Sequence, residues 1–128
     1  MDRPHWAHSA ALTKYMHELS IALSVIEAAE EEAEHQGGRV QAIHLKLGPL
    51  SGVVKEALLS AFEMACEVST LAGARLLIEE VPIVVYCPHC QARQPIASMQ
   101  WFCCPACDSP ASEVVQGKEL EVVALEME

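Results

Sequence analysis

The chain contains few basic residues. Only eight lysines and arginines stand against 18 aspartates and glutamates in 128 residues, which gives a formal net charge of −10. A surface that follows nucleic-acid phosphates needs clustered lysine and arginine side chains. This composition therefore excludes nucleic acid from the expected partners.

Long apolar runs are also missing, although 52% of the residues are hydrophobic. No run approaches the roughly 18 residues that a membrane-spanning helix requires. Residues 1–15 lack the continuous apolar stretch of a secretory signal. We expect a cytoplasmic, acidic globular protein with no membrane partner, built as one compact domain with a small satellite.

The six cysteines are unevenly distributed along the chain. Five of them lie between residues 87 and 107, and the sixth is Cys66. In a reducing compartment such a cluster holds a metal more often than it forms disulfides. Cys66 falls within a helical pattern, which predicts a buried thiol.

Two Cys-x-x-Cys turns stand 13 residues apart, and their sequences are Cys87-Pro88-His89-Cys90 and Cys104-Pro105-Ala106-Cys107. Each turn directs two thiolates to one side, and a hairpin-sized loop brings the two turns face to face, as in a zinc ribbon. Four thiolates leave no coordination position for water, so the spacing predicts a structural zinc site. The metal would supply folding free energy to an insertion that has few apolar residues.

Neighbouring residues leave alternatives at this site. Cys103 and Cys107 could form a wider second knuckle, but Cys104 makes the tighter turn that matches the first one. We therefore predict Cys104 as the ligand and Cys103 as a spare thiol beside the site. His89 is expected beside the metal or in solvent rather than as a ligand.

Apolar periodicity predicts two helices. From residue 18 to 36 the apolar residues recur at helical spacing, and from about residue 53 to 70 a second stripe appears. The predicted buried positions are Leu19, Leu23, Ile26 and Ala33 in the first helix and Val54, Leu58, Ala61, Phe62 and Ala65 in the second. Gly37 and Gly38 are expected to end the first helix.

Strands are predicted over residues 39–47, over residues 74–86 with a bend at Pro82, and after Gly117. His44 is expected on the sheet surface, opposite Ile43 and Leu45. The apolar stripes of the two helices are buried if both helices pack against one face of a sheet. The predicted fold class is α+β, with two helices packed on a small three-stranded sheet and an inserted zinc-ribbon domain.

Met16-His17-Glu18 directly precedes the apolar run of the first helix. If the helix begins at Glu18, its first N–H groups have no intrahelical partner. The His17 imidazole and the deprotonated amide nitrogens of His17 and Glu18 then approach the square of nitrogen donors that Ni(II) or Cu(II) favours. The Glu18 carboxylate suits the positive end of a helix and would offset the cation's charge. A solvated first turn without metal is the simpler alternative.

The string MHELSIALSVIEAAEEEA, followed by LGPLSGVVKEAL and the two cysteine knuckles, resembles the HypA/HybF family of nickel metallochaperones that mature [NiFe]-hydrogenases. The likeness covers residues 16–128. It implies a nickel-binding α+β domain over residues 16–83 and 117–128 and a zinc-ribbon domain over residues 84–116. The implied site residues are Met16, His17 and Glu18 for nickel and Cys87, Cys90, Cys104 and Cys107 for zinc.

The resemblance also implies function and partners. Family members hand nickel to the hydrogenase large subunit together with the GTPase HypB, and in some organisms they also serve urease maturation. From the residues themselves no enzyme is expected, because the sequence shows no Ser/His/Asp arrangement, no phosphate-binding glycine-rich loop and no open metal site. A monomer or homodimer in the cytoplasm is expected. Two rival functions are a zinc-ribbon adaptor that binds only proteins and a thiol oxidoreductase that uses one Cys-x-x-Cys pair.

The sequence departs from the family at its beginning, because Met-His-Glu opens the chain in the family and residues 1–15 precede it here. Either Met16 is the true start, which we favour, or residues 1–15 form a real leader. With a leader, the fourth nitrogen is the Met16 amide or another group such as His5 or His8. Pro4 and the lack of periodicity predict a disordered leader.

Overall fold

A computed structural model describes the backbone of residues 9–128 and the side chains of residues 17–128. The elements in chain order are α1 (Ser9–Gln36), β1 (Val40–Leu47), α2 (Lys55–Cys66), β2 (Arg75–Glu80), β3 (Ile83–Cys87), β4 (Ala92–Ile96), β5 (Glu113–Gln116) and β6 (Leu120–Met127). Neither α1 nor α2, over their described residues, has both the length and the hydropathy needed to cross a bilayer.

Helix α1 begins at Ser9, so the prediction that it starts at Glu18 is wrong. The alanines and the leucine that follow Ser9 are strong helix formers, although their order in the sequence carries no apolar periodicity. Residues 9–15 of the expected leader are therefore helical, whereas residues 1–8, with His5 and His8, lie outside the described residues.

The end of α1 is as predicted. Gly37 has a φ of +70°, a left-handed conformation that favours glycine. The N–H groups of Gly37 and Gly38 both donate to the carbonyl oxygen of Ala33, at 2.8 and 3.3 Å. These two bonds satisfy a carbonyl of the last turn and end the helix.

The buried face of α1 confirms the predicted stripe in part, because Ile26 is buried and Leu19 and Ala33 are half-buried. Its buried apolar residues are Ala22, Val25, Ile26 and Ala29, whereas the predicted Leu23 is 49% exposed. The small alanines allow α2 to approach α1 closely, which a stripe of large residues would prevent. Helix α2 buries Leu58, Ala61, Phe62, Ala65 and Cys66, which confirms most of its predicted stripe.

The first sheet has the strand order β2-β1-β6, which confirms the predicted three-stranded sheet. Its central strand β1 buries Ala42, Ile43 and Leu45. His44 lies 2.6 Å from the Glu126 carboxylate, so its ring has a partner on the sheet surface.

The single bent strand predicted over residues 74–86 is instead two strands in two different sheets. Strand β2 ends at Glu80 and β3 begins at Ile83. Proline has no N–H group and cannot continue a strand ladder. The break therefore falls at Pro82, where only a bend was expected.

The described chain divides into two compact units. The first contains the residues up to His44 together with Val54–Leu77 and Ala124–Glu128, and the second contains Leu45–Val53 and Ile78–Val123. The domain boundaries predicted from the sequence fall at other residues and stay a prediction.

A second antiparallel sheet, which was not predicted, forms in the second unit with the strand order β4-β3-β5. Its register pairs Ile83 with Ile96 and Cys87 with Ala92. A small apolar cluster packs around it, consisting of Ile83, Val85 and Ala111 with Leu50, Ile96, Phe102 and Val114. This limited core is consistent with an insertion that depends on a metal.

Gly48 and Gly117 bring two backbone segments of the second unit into direct contact. The Gly48 N–H donates to the Glu119 carbonyl oxygen at 2.8 Å, and the Leu50 N–H donates to the Gly117 carbonyl oxygen at 2.7 Å. A Cβ atom on Gly48 would lie 2.1 Å from that Gly117 oxygen. Only glycine fits at residue 48 without moving the backbone.

Candidate metal centres

The two cysteine knuckles have the same local backbone geometry. The first knuckle starts where β3 ends, at Cys87, and the second follows a β-bridge between Cys103 and Pro110. The residue after each knuckle has a positive φ, +55° at Gln91 and +60° at Asp108. Each left-handed residue reverses the chain directly after the second cysteine of its pair.

The two knuckles meet sulfur to sulfur. The Sγ atoms of Cys87 and Cys107 are 3.6 Å apart, and those of Cys90 and Cys104 are 3.9 Å apart. All four Sγ atoms lie within 4.8 Å of one another. A tetrahedral ion with bonds of about 2.3 Å to sulfur requires sulfur–sulfur distances of about 3.8 Å. The four thiols therefore fit a tetrahedral metal ion with four sulfur ligands.

Backbone N–H groups point at two of the sulfurs. The Cys90 N–H donates to Cys87 Sγ at 3.3 Å, and the Ala106 N–H donates to Cys104 Sγ at 3.4 Å. Hydrogen bonds of this kind stabilise thiolates and orient them toward a metal. Both bonds form within a Cys-x-x-Cys turn, so the spacing of the cysteines alone predicts how these sulfurs are held.

The thiol pKa values shift in opposite directions. A hydrogen bond with the Ser109 side chain lowers the pKa of Cys107 to about 6. A hydrogen bond with Cys107 raises the pKa of Cys90 to about 12, and desolvation adds to this shift. Thiolates this close repel each other, so protons remain on some of them until a cation replaces those protons.

The other cysteines lie apart from this group. Cys103 is half-buried, and the four-sulfur group contains Cys104 in its place. Cys66 is buried, and burial followed by the nearby Glu30 charge raises the pKa of its thiol. His89 is exposed. Among residues 17–128, no other group of three or more histidine, cysteine or carboxylate ligands converges on a point.

His17 and Glu18 direct their side chains to different environments. His17 is exposed, whereas Glu18 is fully buried. Neighbouring residues of a helix point about 100° apart, so the two side chains cannot share one face. The side chain of Met16 lies outside the described residues. The structure therefore does not bring the side chains of His17 and Glu18 together.

The main-chain nitrogens of this segment belong to the helix. Because α1 starts at Ser9, the N–H groups of His17 and Glu18 donate to the carbonyl oxygens of Thr13 and Lys14. The expectation that they lie free in an opening turn is wrong for this structure. They become available to a metal only where α1 is unwound as far as Glu18.

The Glu18 carboxylate does lie at the positive end of a helix, but the helix is α2. Its Oε2 accepts a hydrogen bond from the Val54 N–H at 3.0 Å, and Val54 is the N-cap residue of α2. Its Oε1 is buried and has no hydrogen-bond partner. The dipole of α2 offsets part of the cost of burying this carboxylate.

The fold and the four-cysteine group define a metal-binding protein. Its first unit contains the two helices, and its second unit contains the two cysteine knuckles. The family described as "Hydrogenase/urease nickel incorporation, metallochaperone, hypA" matches residues 16–127. The chain belongs to this family, which confirms the resemblance. The family consists of metallochaperones for nickel incorporation and not of catalytic enzymes.

Individual relatives support this assignment. The hydrogenase maturation factor HypA of Chloroflexus aurantiacus is 49% identical over 112 residues, which cover 87% of this chain and 98% of that protein. The solution structure of the Ni metallochaperone HypA from Helicobacter pylori has a TM-score of 0.59 at 26% identity and covers 86% of this chain and 96% of that one. A second solution structure, of a HypA protein, has a TM-score of 0.66 at 28% identity, with coverage of 88% and 96%.

Proposed function

We propose that this chain binds Ni(II) at Met16, His17 and Glu18 and delivers it for insertion into the [NiFe]-hydrogenase large subunit. The observation that carries this proposal is the family match, which begins at Met16 itself. The exposure of the His17 imidazole supports it, because a cargo site must be reachable from solvent. The hydrogenase maturation factors among the relatives support the destination.

The donors are the His17 imidazole and the main-chain nitrogens of Met16, His17 and Glu18. This set suits the square geometry that Ni(II) favours. The Glu18 side chain takes no part in it, because its carboxyl is buried against the start of α2. Nickel capture then requires the helix before Glu18 to unwind, so the energy of those helical hydrogen bonds opposes binding. Because this energy weakens nickel binding, it suits a carrier that must also release its metal.

The four-cysteine group is the proposed structural zinc site, with Cys87, Cys90, Cys104 and Cys107 as ligands. The sulfur–sulfur distances of 3.6 and 3.9 Å support Zn(II). The four sulfurs leave no position for a substrate or a water molecule. Zinc thus stabilises the second unit, whose apolar cluster is small.

The proposed partners are the hydrogenase large subunit and the GTPase HypB, in the cytoplasm, with urease maturation proteins as a second destination. The family description, which names both hydrogenase and urease, supports this set. A second candidate function is a zinc-ribbon adaptor that binds no nickel. The helical hydrogen bonds at His17 and Glu18 favour this alternative.

Replacing His17 with alanine separates the two functions. We expect His17→Ala to abolish nickel binding, because it removes the imidazole, and to leave zinc content and the fold unchanged, because the two sites share no ligand. Nickel calorimetry and zinc quantification on the same sample measure both effects. His35→Ala is the matched control, since His35 is an exposed histidine of the same helix. Unchanged nickel uptake in His17→Ala would support the adaptor.

A further inference from the structure

Glu18 is the only charged side chain that is fully buried among residues 17–128. Removing a carboxylate from water is costly unless hydrogen bonds and nearby positive potential replace the lost hydration. Only one of its two oxygens has a partner, the Val54 N–H at 3.0 Å. A half-satisfied buried carboxyl implies a role that an apolar residue at this position would not fill.

The partner of Glu18 identifies that role. Val54 is the N-cap of α2 and offers no side-chain cap of its own, and its carbonyl oxygen accepts the first helical bond, from Leu58 N–H at 3.0 Å. The carboxyl of Glu18 therefore supplies from α1 the acceptor for the N-cap N–H that, in a capping box, a glutamate or glutamine three residues after the N-cap supplies. The contact joins residues 36 positions apart in the chain.

We propose that Glu18 is a positioning residue whose carboxyl fixes the chain directly after His17 to the start of α2, so that unwinding of α1 on nickel capture ends at Glu18. The part about nickel depends on the proposed function, whereas the fixed point itself does not.

Two steps connect the contact to this role. Binding one ion through adjacent main-chain nitrogens draws the His17 ψ angle from its helical value of about −42° toward a planar chelate. This change falls on the N-terminal side of the Glu18 Cα atom. The buried carboxyl, bonded to Val54, opposes any further displacement along the helix. Without it, that displacement is resisted by the helical hydrogen bonds and apolar contacts of α1 and by the contact of Glu30 with Thr70 further along the helix.

Amide hydrogen exchange of the full chain, followed by NMR without nickel, tests the fixed point. We expect Glu18→Ala to speed exchange at the Val54 amide about tenfold, because its acceptor is lost. Glu18→Gln should restore much of the protection, since its amide oxygen can still accept from Val54. Glu27→Ala, which removes an exposed carboxyl of the same helix, should have no effect. An unchanged Val54 rate in both Glu18 variants would overturn the proposal.

The same measurement with one equivalent of Ni(II) tests the limit of unwinding. In the unaltered chain we expect the His17 and Glu18 amide proton signals to disappear, because nickel replaces those protons, with protection retained at Val54 and at Ala22, whose N–H donates to the Glu18 carbonyl oxygen in the helix. In Glu18→Ala, nickel should also speed exchange at Ala22 about tenfold, an effect that a capping role alone would not produce.

The outcomes distinguish this inference from the proposed function. If nickel alone frees the Val54 amide of the unaltered chain as much as Glu18→Ala does, the carboxyl leaves α2 to reach the metal, and the positioning role is wrong. If no nickel binds at all, calorimetry shows this directly and the proposed function fails. The metal-free exchange at Val54 still decides whether Glu18 is the fixed point.

Discussion

At the cysteine knuckles and at His17 the backbone relates to the candidate metal donors in opposite ways. In the knuckles, N–H groups donate to the sulfurs of Cys87 and Cys104, so the turns that carry the ligands also stabilise them as thiolates. At His17, the main-chain nitrogens are the proposed metal ligands, and their N–H groups already form hydrogen bonds within the helix. The cysteine site is thus built by its local backbone, whereas the proposed nickel site forms only if a local helix is unwound.

This difference matches the proposed structural role of the metal at the cysteines and the proposed carrier role of the site at His17. A metal held by four sulfurs in preformed turns exchanges slowly and suits structure. A metal bound at the expense of helical hydrogen bonds can be displaced by refolding of the helix or by protons. Under the proposed function, capture and release of nickel would depend on the helix and not on a cavity.

The largest effect is expected from removing one sulfur of the knuckle group. Cys90→Ala should weaken zinc binding by more than about 100-fold, since even replacements around a ligand cost 10- to 100-fold. The sheet β4-β3-β5 should then lose its NMR dispersion, while α1 and α2 keep theirs, because the apolar cluster of the second unit is small.

The matched control is Cys103→Ala, which removes a neighbouring thiol that is not part of the four-sulfur group. It should keep full zinc content. A Cys90→Ala protein that is zinc-free and still fully folded would show that the metal has no structural role.

Acidification should release the two metals in sequence. An amide nitrogen holds its proton more tightly than a thiol does, so protons should displace nickel first as the pH falls. The Ser109 hydrogen bond, which lowers the pKa of Cys107 to about 6, favours the thiolate over the protonated thiol, so protons compete less well for that sulfur. Zinc should therefore remain bound to a lower pH than nickel does.

Stepwise acidification with a chromogenic chelator, reading both metals from one sample, measures this order. Release of zinc before nickel, or of both together, would show that the donors at the two sites are not of the kinds assigned here.

The sequence predicted those features that depend on neighbouring residues. The Cys-x-x-Cys spacing predicted the four sulfurs that meet, including the choice of Cys104, because each pair is fixed by one turn. The same holds for the end of α1 at Gly37, where the turn chemistry is local. The stripe of α2 followed from periodicity alone.

Features that depend on distant residues were missed. The partner of Glu18 is a main-chain N–H of another helix, which leaves no signature in side-chain identity. One signal was available: Glu18, Ala22, Val25 and Ala29 recur at spacings of four, three and four, which places Glu18 on the buried face. The start of α1 at Ser9 was missed because helix propensity without an apolar stripe was read as disorder.

X-ray absorption at the nickel edge, on the zinc-containing chain with one equivalent of Ni(II), identifies the atoms that bind the nickel. We expect a planar set of nitrogen neighbours with the outer-shell scattering of one imidazole ring, and loss of that ring signal in His17→Ala. Six oxygen-rich neighbours with no histidine ring would contradict it.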